Sequence, residues 1–220
     1  MLTFDRVKKD KRVLTFLRNT EIALKAIGYT EHGLTHATLV AERARTIAKK
    51  VGLSEREQEL SAIAGFCHDM GNFISRFHHH FWGALLFCQL FQDEDPQELA
   101  IIMEAIANHD RQREMKILNP VSAAVVLADK SDVRRSRVID KSPENLKRDI
   151  HARVNYGTTF NELKINKKKK EITLFLKIDT KFVPVMEYFE IFTERMVYCR
   201  QAAKFLGYKF NLVINQFKLL

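Results

Sequence analysis

The side chains best suited to metal chemistry are concentrated in the first half of the chain. Seven of the 8 His lie there, namely His32, His36, His68, His78, His79, His80 and His109. Asp69 directly follows His68, and Asp129 lies in an otherwise apolar stretch, 123-AAVVLADKSD-132. Because a buried carboxylate is costly unless a cation accompanies it, Asp129 indicates a charged partner. Neutral imidazoles combined with carboxylates are ligands that suit Zn, Fe, Mn, Co and Ni.

These residues fall at the ends of predicted helices. Apolar periodicity and capping residues predict helices over residues 10–27, 35–51, 54–67 and 77–91, then from Pro96 to His109, from Asn119 through Val138, and from Ser142. An up-and-down bundle brings the end of one helix level with the start of the next. We therefore expect His36, His68, Asp69, His79, His109 and Asp129 to meet at one level of such a bundle.

The pattern changes after His151. The segment 171-EITLFLKID-179 alternates strictly and predicts a strand, 160-FNELKIN-166 predicts a weaker one, and the lysine-rich tract between them predicts a hairpin connection. A long helix over residues 184–206 and a strand from Tyr208 follow. The predicted fold is mainly α: a helical domain over residues 1–150 and a small α+β subdomain over residues 151–220, to which the sequence assigns no role.

Composition excludes several classes of protein. Hydrophobic residues make up 46% of the chain, with only 8 Gly and 4 Pro, which excludes collagen-like and disordered chains. The 3 Cys, at unrelated spacings, predict no disulfide framework. No apolar run approaches the ~20 residues of a membrane span, and the charged start is unlike a signal peptide, so we predict a cytoplasmic protein. The net charge of +9 favours anionic partners.

The order and surroundings of the candidate ligands resemble those of the HD-domain metal-dependent phosphohydrolases. The matching segments are 33-GLTHATLVAERA-44, 64-AGFCHDMGN-72, 79-HHFWGA-84, 106-IANHD-110 and 127-LADKSDVRR-135. The resemblance covers residues 29–138. It implies a helical core and the hydrolysis, by metal-activated water, of a phosphomonoester, phosphodiester or phosphoanhydride in a nucleotide or another small phosphorylated substrate.

The resemblance also implies two divalent ions, which could be Fe, Mn, Zn, Ni, Co or Mg. One ion would be held by His36, His68, Asp69 and Asp129, and Asp69 would bridge to a second held by His79 and His109. His68 and Asp69 would also act in catalysis. The run of three histidines leaves His79 and His80 as alternative ligands, and the spacing to Gly83 favours His79.

Two departures from the family bear on the substrate. Relatives that cleave cyclic dinucleotides carry a Lys where this chain has Asn72, and a Gly-Tyr-Pro motif that 109-HDRQREMKILNP-120 lacks, so cyclic di-GMP cleavage is not expected. Phosphate charge must then be met by other residues. We predict that Lys130, Arg134, Arg135 and Arg137 continue the helix of Asp129, and that Lys130 and Arg134 share one of its faces. His32 is a further candidate substrate contact.

Two other functions are compatible with the sequence. One is a regulatory or signalling HD module that binds a nucleotide without turnover, although the complete ligand set argues against degeneration. The other is nucleic-acid binding through the basic C-terminal unit, at the lysines 167–170. No aromatic residue interleaves with those lysines, so a stacking platform is unsupported. The sequence leaves open whether the protein forms a homodimer.

Overall fold

The computed structural model describes residues 1–110 and 116–219. The helices are α1 (Phe4–Lys9), α2 (Lys11–Ala26), α3 (Leu34–Val51), α4 (Glu55–Cys67), α5 (His79–Leu90), α6 (Pro96–Asn108), α7 (Pro120–Lys130), α8 (Pro143–Arg148), α9 (Ile150–Gly157) and α10 (Val185–Phe205). The strands are β1 (Thr158–Asn166), β2 (Glu171–Ile178), β3 (Lys209–Ile214) and β4 (Phe217–Lys218). The prediction of a mainly α fold with a small C-terminal sheet is confirmed.

Side-chain caps define where the helices of the bundle begin. Ser54 and Glu57 form the predicted capping box at the start of α4. Asp95 accepts hydrogen bonds from two backbone N–H groups of α6, which has Pro96 in its first turn. Asn119 caps α7 by accepting a hydrogen bond from the backbone N–H of Ser122. These local signals place the starts of α4, α6 and α7 within a residue of the predicted positions.

Helix α4 lies at the centre of the bundle. Every residue from Leu60 to Asn72 is buried, because α3, α6 and α7 surround α4. Small residues allow this close packing: a Cβ added at Gly65 would lie 3.1 Å from the carbonyl oxygen of Val40 in α3. The C-terminal end of α4, with His68 and Asp69 directly after it, is thereby held in the interior of the bundle.

The C-terminal sheet has the strand order β1-β2-β3-β4. Strands β1 and β2 form the predicted antiparallel hairpin, β2 and β3 are parallel, and β4 pairs antiparallel with β3. Helix α10 makes the crossover between β2 and β3, and packs against both β3 and α7. Helix α10 thus connects the C-terminal sheet to the bundle.

Two features differ from the sequence prediction. The helix predicted to continue to Val138 ends at Lys130 and is followed by a turn and a 3-10 helix over Arg135–Arg137, so the prediction that Lys130 and Arg134 share a helical face is wrong. The chain leaves the helical path where the carboxylate of Asp132 binds His36 and Arg134. Helices α1 and α9 and strand β4 were not predicted. In the described ranges no helix is both long and apolar enough to cross a bilayer.

One continuous cluster of buried apolar side chains includes residues from both sides of the predicted boundary at residue 150. It contains Val40 and Phe66 of the bundle, Leu174 of the sheet, and Tyr188 and Phe192 of α10. The division into two domains stays a prediction.

Candidate metal centre

Six side chains from five helices meet inside the bundle. His36 lies in the first turn of α3, His79 begins α5, and Asp129 is the penultimate residue of α7. His68 with Asp69 directly follows α4, and His109 directly follows α6. We call His36, His68, Asp69, His79, His109 and Asp129 the ligand cluster. All six are shielded from solvent, and Asp129 is the most accessible, with 11% of its side chain exposed.

The carboxylate of Asp69 lies between two groups of imidazoles. Its Oδ2 is 3.3 Å from Nε2 of His68 and 3.7 Å from Nε2 of His36. Its Oδ1 is 3.3 Å from Nε2 of His79 and 3.6 Å from Nε2 of His109. On the first side Asp129 completes the group, with Oδ1 at 3.3 Å from Nε2 of His36. The cluster therefore consists of two sets of donor atoms joined by one carboxylate.

Backbone carbonyls orient three of the four imidazoles. Nδ1 of His68, His79 and His109 lies 2.8, 3.1 and 2.6 Å from the carbonyl oxygen of the residue three positions earlier. A carbonyl oxygen only accepts a hydrogen bond, so in the neutral ring each Nδ1 carries the proton and each Nε2 presents a lone pair. Two of these carbonyls belong to the last turns of α4 and α6, where helical N–H donors run out. Helix ends thus supply both the ligands and the acceptors that orient them.

His36 lies in the first turn of its helix, and its ring is oriented by a side-chain carboxylate instead of a backbone carbonyl. Its Nδ1 donates to Oδ2 of Asp132 at 2.8 Å. The Asp132 side chain is completely buried and accepts a second hydrogen bond from Nε of Arg134 at 2.8 Å. Although burial raises the pKa of this carboxyl, the His36 hydrogen bond and the nearby Arg137 hold it well below its usual range. Asp132 was not predicted; a second carboxylate three residues after Asp129 was the available signal.

The donor atoms fit a divalent cation. The Nε2 atoms of His36 and His68 are buried without a hydrogen-bond partner. Those of His79 and His109 face each other at 3.1 Å, although both Nδ1 atoms hold the ring protons. Burial lowers the pKa of His109 to about 4, which keeps this imidazole neutral near pH 7. Ligand atoms that share one ion at about 2.1 Å lie roughly 3.0–3.4 Å apart, close to the separations seen here.

Of the three consecutive histidines, only His79 is aimed at Asp69. His78 caps α5 in a left-handed conformation with φ of 58°. Both ring nitrogens of His80 are buried without a hydrogen-bond partner, and burial lowers its pKa to about 4. His80 lies within ligand-sharing distance of His79 and Asp110. The geometry around Asp69 therefore favours His79 as the ligand, as its spacing to Gly83 predicts.

A close approach of α5 to the turn after α4 brings His79 to the cluster. A Cβ added at Gly71 would lie 2.1 Å from the carbonyl oxygen of His79 and 2.5 Å from the backbone nitrogen of Gly83. Real side chains do not tolerate such distances, so only glycine fits at position 71. Asn72 follows in this turn, and its amide donates to Oδ1 of Asp69 at 2.9 Å.

The predicted substrate contacts lie in different environments. Nζ of Lys130 is 3.0 Å from Oδ2 of Asp129 and 3.2 Å from Oδ1 of Asp110, so this ammonium group is shared by two carboxylates beside the cluster. The ring of His32 is 5.6 Å from that of His36. Arg134 binds Asp132 behind His36, and Arg135 donates to the carbonyl of Tyr156. Their roles in substrate binding stay predictions.

Two arginines near the cluster were not predicted. Nη1 of Arg76 lies 3.3 Å from Nε2 of His79 and donates to Oδ1 of Asn72 at 3.0 Å. Arg195 extends from α10 and lines a cavity together with Lys130 and Asp110. Arg76 precedes α5 in a loop and Arg195 is distant in sequence, so only the fold brings them together. The segment 111–115, part of the stretch that lacks the Gly-Tyr-Pro motif, lies outside the described residues.

Comparison with known proteins finds a match to the model of the HD domain over residues 33–142, which is half of the chain. The matched range contains all six residues of the ligand cluster. A second similarity is to an uncharacterized protein of Methanocaldococcus jannaschii, 26% identical over 160 residues. That alignment covers 62% of this chain and 61% of the relative's length, and the relative's name carries no activity.

Proposed function

The chain belongs to the HD-domain superfamily of metal-dependent phosphohydrolases. We therefore propose that it cleaves a phosphoester or phosphoanhydride bond in a nucleotide or another small phosphorylated molecule. One observation carries the proposal. Four imidazoles direct their Nε2 atoms at the carboxylates of Asp69 and Asp129, inside the bundle. Buried carboxylates and imidazole nitrogens that face one another are unfavourable unless a cation lies between them, so the arrangement supports a metal centre.

The two sets of donor atoms support a centre with two ions. His36, His68, Asp129 and Oδ2 of Asp69 would hold the first ion. His79, His109 and Oδ1 of Asp69 would hold the second. When bound, divalent ions supply Lewis acidity, which lowers the pKa of water and neutralises charge on phosphate oxygens. Six protein ligands for two ions leave positions open for water and substrate, as a catalytic site requires. Imidazole and carboxylate ligands suit Fe, Mn, Zn, Ni and Co alike.

The remaining residues of the site act on the ligands. Asp132 holds the ring proton of His36 on Nδ1, which keeps Nε2 free to bind a cation. The amide of Asn72 donates to Oδ1 of Asp69 and fixes the orientation of the bridging carboxylate. Lys130 binds Oδ2 of Asp129, so that Oδ1 faces the imidazoles. These contacts preorganise the charged groups and leave little rearrangement for the moment of reaction.

The test combines metal analysis with an activity screen on phosphomonoesters, phosphodiesters and nucleotides. Asp69→Asn should lose bound metal and at least about 10³-fold in kcat/KM, because it removes the shared ligand, a loss of about 4 kcal/mol in transition-state stabilisation. Asp5→Asn is the matched control, since Asp5 is exposed in the short helix α1, and it should keep wild-type activity.

Protein purified without metal and inactive on every phosphoester after metal is added would refute the proposal. Nucleotide binding without turnover, at full metal content, would instead indicate a regulatory module.

A further inference from the structure

A cavity of about 620 Å³ is lined by residues that neighbour the ligand cluster. Two of its lining residues connect it to the cluster. The ring of His32 lies 5.6 Å from that of His36, and Nη1 of Arg76 lies 3.3 Å from Nε2 of His79. Cavities of about 300–1,000 Å³ are typical of small-molecule sites. A substrate whose reacting phosphate lies at the cluster therefore has room to extend into this cavity.

The cavity is strongly basic. Among the described lining residues, Asp149 is the lone carboxylate. Four arginines line the cavity: Arg76, Arg137, Arg148 and Arg195. Burial lowers the pKa of the two lining histidines, His32 and His151, so they add no positive charge near pH 7. Cationic walls of low dielectric constant concentrate the field and favour an anion. The cavity is thus suited to a ligand with more negative charge than one phosphate at the cluster would bring.

Two of the four guanidinium groups have no carboxylate partner among the described residues and can bind that charge, although Nη1 of Arg76 also donates to Asn72. Arg137 is buried and its nitrogens donate to the carbonyls of Glu31 and Asp132, so it serves the fold. Arg148 is exposed. Arg76 and Arg195 rest on the rings of Tyr29 and Phe192, with CZ at 5.3 and 4.8 Å from the ring centroids.

Within the described part of the chain, no carboxylate lies within salt-bridge distance of Arg76 or Arg195. Both are only partly exposed. A partly buried cation without an anionic partner is unfavourable, and an anionic ligand would relieve this cost.

Arg195 also connects the C-terminal half of the chain to the site. It lines the 620 Å³ cavity and a second cavity of about 280 Å³, which Lys130 and Asp110 border. Burial lowers the pKa of Arg195, Arg137 and Arg76 add repulsion, and Asp129 of the ligand cluster opposes the shift. The guanidinium of Arg195 therefore lies within electrostatic range of the cluster. Lys130 does not compete for the same anion, because its ammonium group is held by two carboxylates.

We propose that Arg76 and Arg195 bind a second phosphate group of the substrate, so that the substrate class is a small molecule carrying at least two phosphates. This inference rests on the proposed function: the cluster takes the phosphate that is cleaved, and the two arginines take one that is not. Planar guanidinium groups bind phosphate oxygens in a bidentate manner, which supplies both affinity and orientation. Because Arg195 belongs to α10, the C-terminal unit contributes to substrate choice.

Two classes of small molecule carry at least two phosphate groups. Adjacent phosphates occur in nucleoside diphosphates and triphosphates, whereas separated phosphates occur in bisphosphorylated metabolites. A kinetic comparison of a nucleoside diphosphate, a sugar bisphosphate and p-nitrophenyl phosphate distinguishes them. The substrate with the correct spacing should show a kcat/KM that depends on both arginines, and p-nitrophenyl phosphate should not.

Binding to metal-loaded protein is the direct test, with methylenediphosphonate and methylphosphonate as probes that are not hydrolysed, measured by isothermal titration calorimetry. Arg195→Gln and Arg76→Gln should each lower the affinity for methylenediphosphonate by about 10- to 100-fold, as expected for a lost charge-assisted contact. For Arg195→Gln, the affinity for methylphosphonate should stay within about twofold of wild type. Arg76→Gln also removes the contacts with His79 and Asn72, so it should weaken methylphosphonate somewhat but methylenediphosphonate more. Arg200→Gln, an exposed arginine on the same helix, should change neither affinity.

Equal losses for the two probes, or no loss in either variant, would overturn the inference. The two variants lie on different elements, so misfolding of one, seen by circular dichroism, leaves the other as the test. A protein that binds the diphosphonate through both arginines but hydrolyses no phosphoester contradicts the proposed function and keeps the anion site. A protein that hydrolyses monophosphates without any arginine-dependent preference keeps the function and contradicts the inference.

Discussion

Asp132→Asn tests the view that one buried carboxylate sets the protonation of His36. The substitution preserves the shape of the side chain but replaces an anionic acceptor with a neutral amide. The affected contact is the hydrogen bond of 2.8 Å from Nδ1 of His36 to Oδ2 of Asp132. His68, His79 and His109 keep their ring protons on Nδ1, because their acceptors are backbone carbonyls. The effect should therefore be confined to the ion that His36 binds.

The expected effect of Asp132→Asn is a loss of metal affinity at one of the two sites. Loss of a partner that orients a ligating histidine typically costs 10- to 100-fold in metal affinity, which corresponds to about 1.4–2.7 kcal/mol. We expect this loss at the site of His36, His68 and Asp129, and less than about twofold change at the site of His79 and His109. Folding should also weaken by about 1.5–3 kcal/mol, because the Arg134 guanidinium loses a charged acceptor in the interior.

A chelator competition titration that resolves two binding steps measures both affinities in one experiment. Asp5→Asn again serves as the control, and thermal melting monitors folding. Wild-type affinity at both sites would refute the role given to Asp132. An equal loss at both sites would refute the separation of the cluster into two sets of donors.

Two further predictions concern metal removal and Gly71. At a metal concentration 100 times the Kd, binding should stabilise the fold by about 2.7 kcal/mol, so a chelator should lower the Tm by about 5–11 °C, measured by differential scanning fluorimetry; an unchanged Tm would contradict a metal site. Gly71→Ala should destabilise the protein by at least about 1–3 kcal/mol and also lower metal affinity, because the Cβ would displace His79. Gly207→Ala is its control: its φ of +77° makes alanine cost about 1–2 kcal/mol, but nothing lies within 4 Å, so metal affinity should not change. Equal metal affinity in the two glycine variants would contradict the packing argument.

The helices of the bundle and most of the ligand cluster could be predicted because their signals are local. Ser54, Asp95 and Asn119 are N-caps whose effect extends over three residues, and they place the starts of α4, α6 and α7. Asp129 stands out because its neighbours in sequence are apolar. His68 and His109 lie at positions where a helix must end, and there the backbone itself orients them. A single sequence contains all of this information.

The rest depends on contacts between distant segments. Arg195 reaches the site because α10 packs against α7, and no periodic pattern predicts that pair. Helix α7 ends earlier than predicted for the same reason, because Asp132 binds His36, 96 residues away in the chain. Apolar periodicity alone would continue the helix. Arg134 was assigned to substrate from its distance in sequence to Asp129, whereas the structure places its guanidinium on a buried carboxylate.

The ligand cluster has a consequence for the motions of the bundle. Its members adjoin the ends of five helices and span positions 36 to 129 of the chain, so no short fragment contains the set. In the metal-free protein each helix end can open separately, at its own free energy. A bound ion connects the five ends, because opening any one of them breaks coordination. Amide hydrogen exchange near these ends should then slow together when metal is added, and local fraying of α3 to α7 should give way to a single cooperative opening.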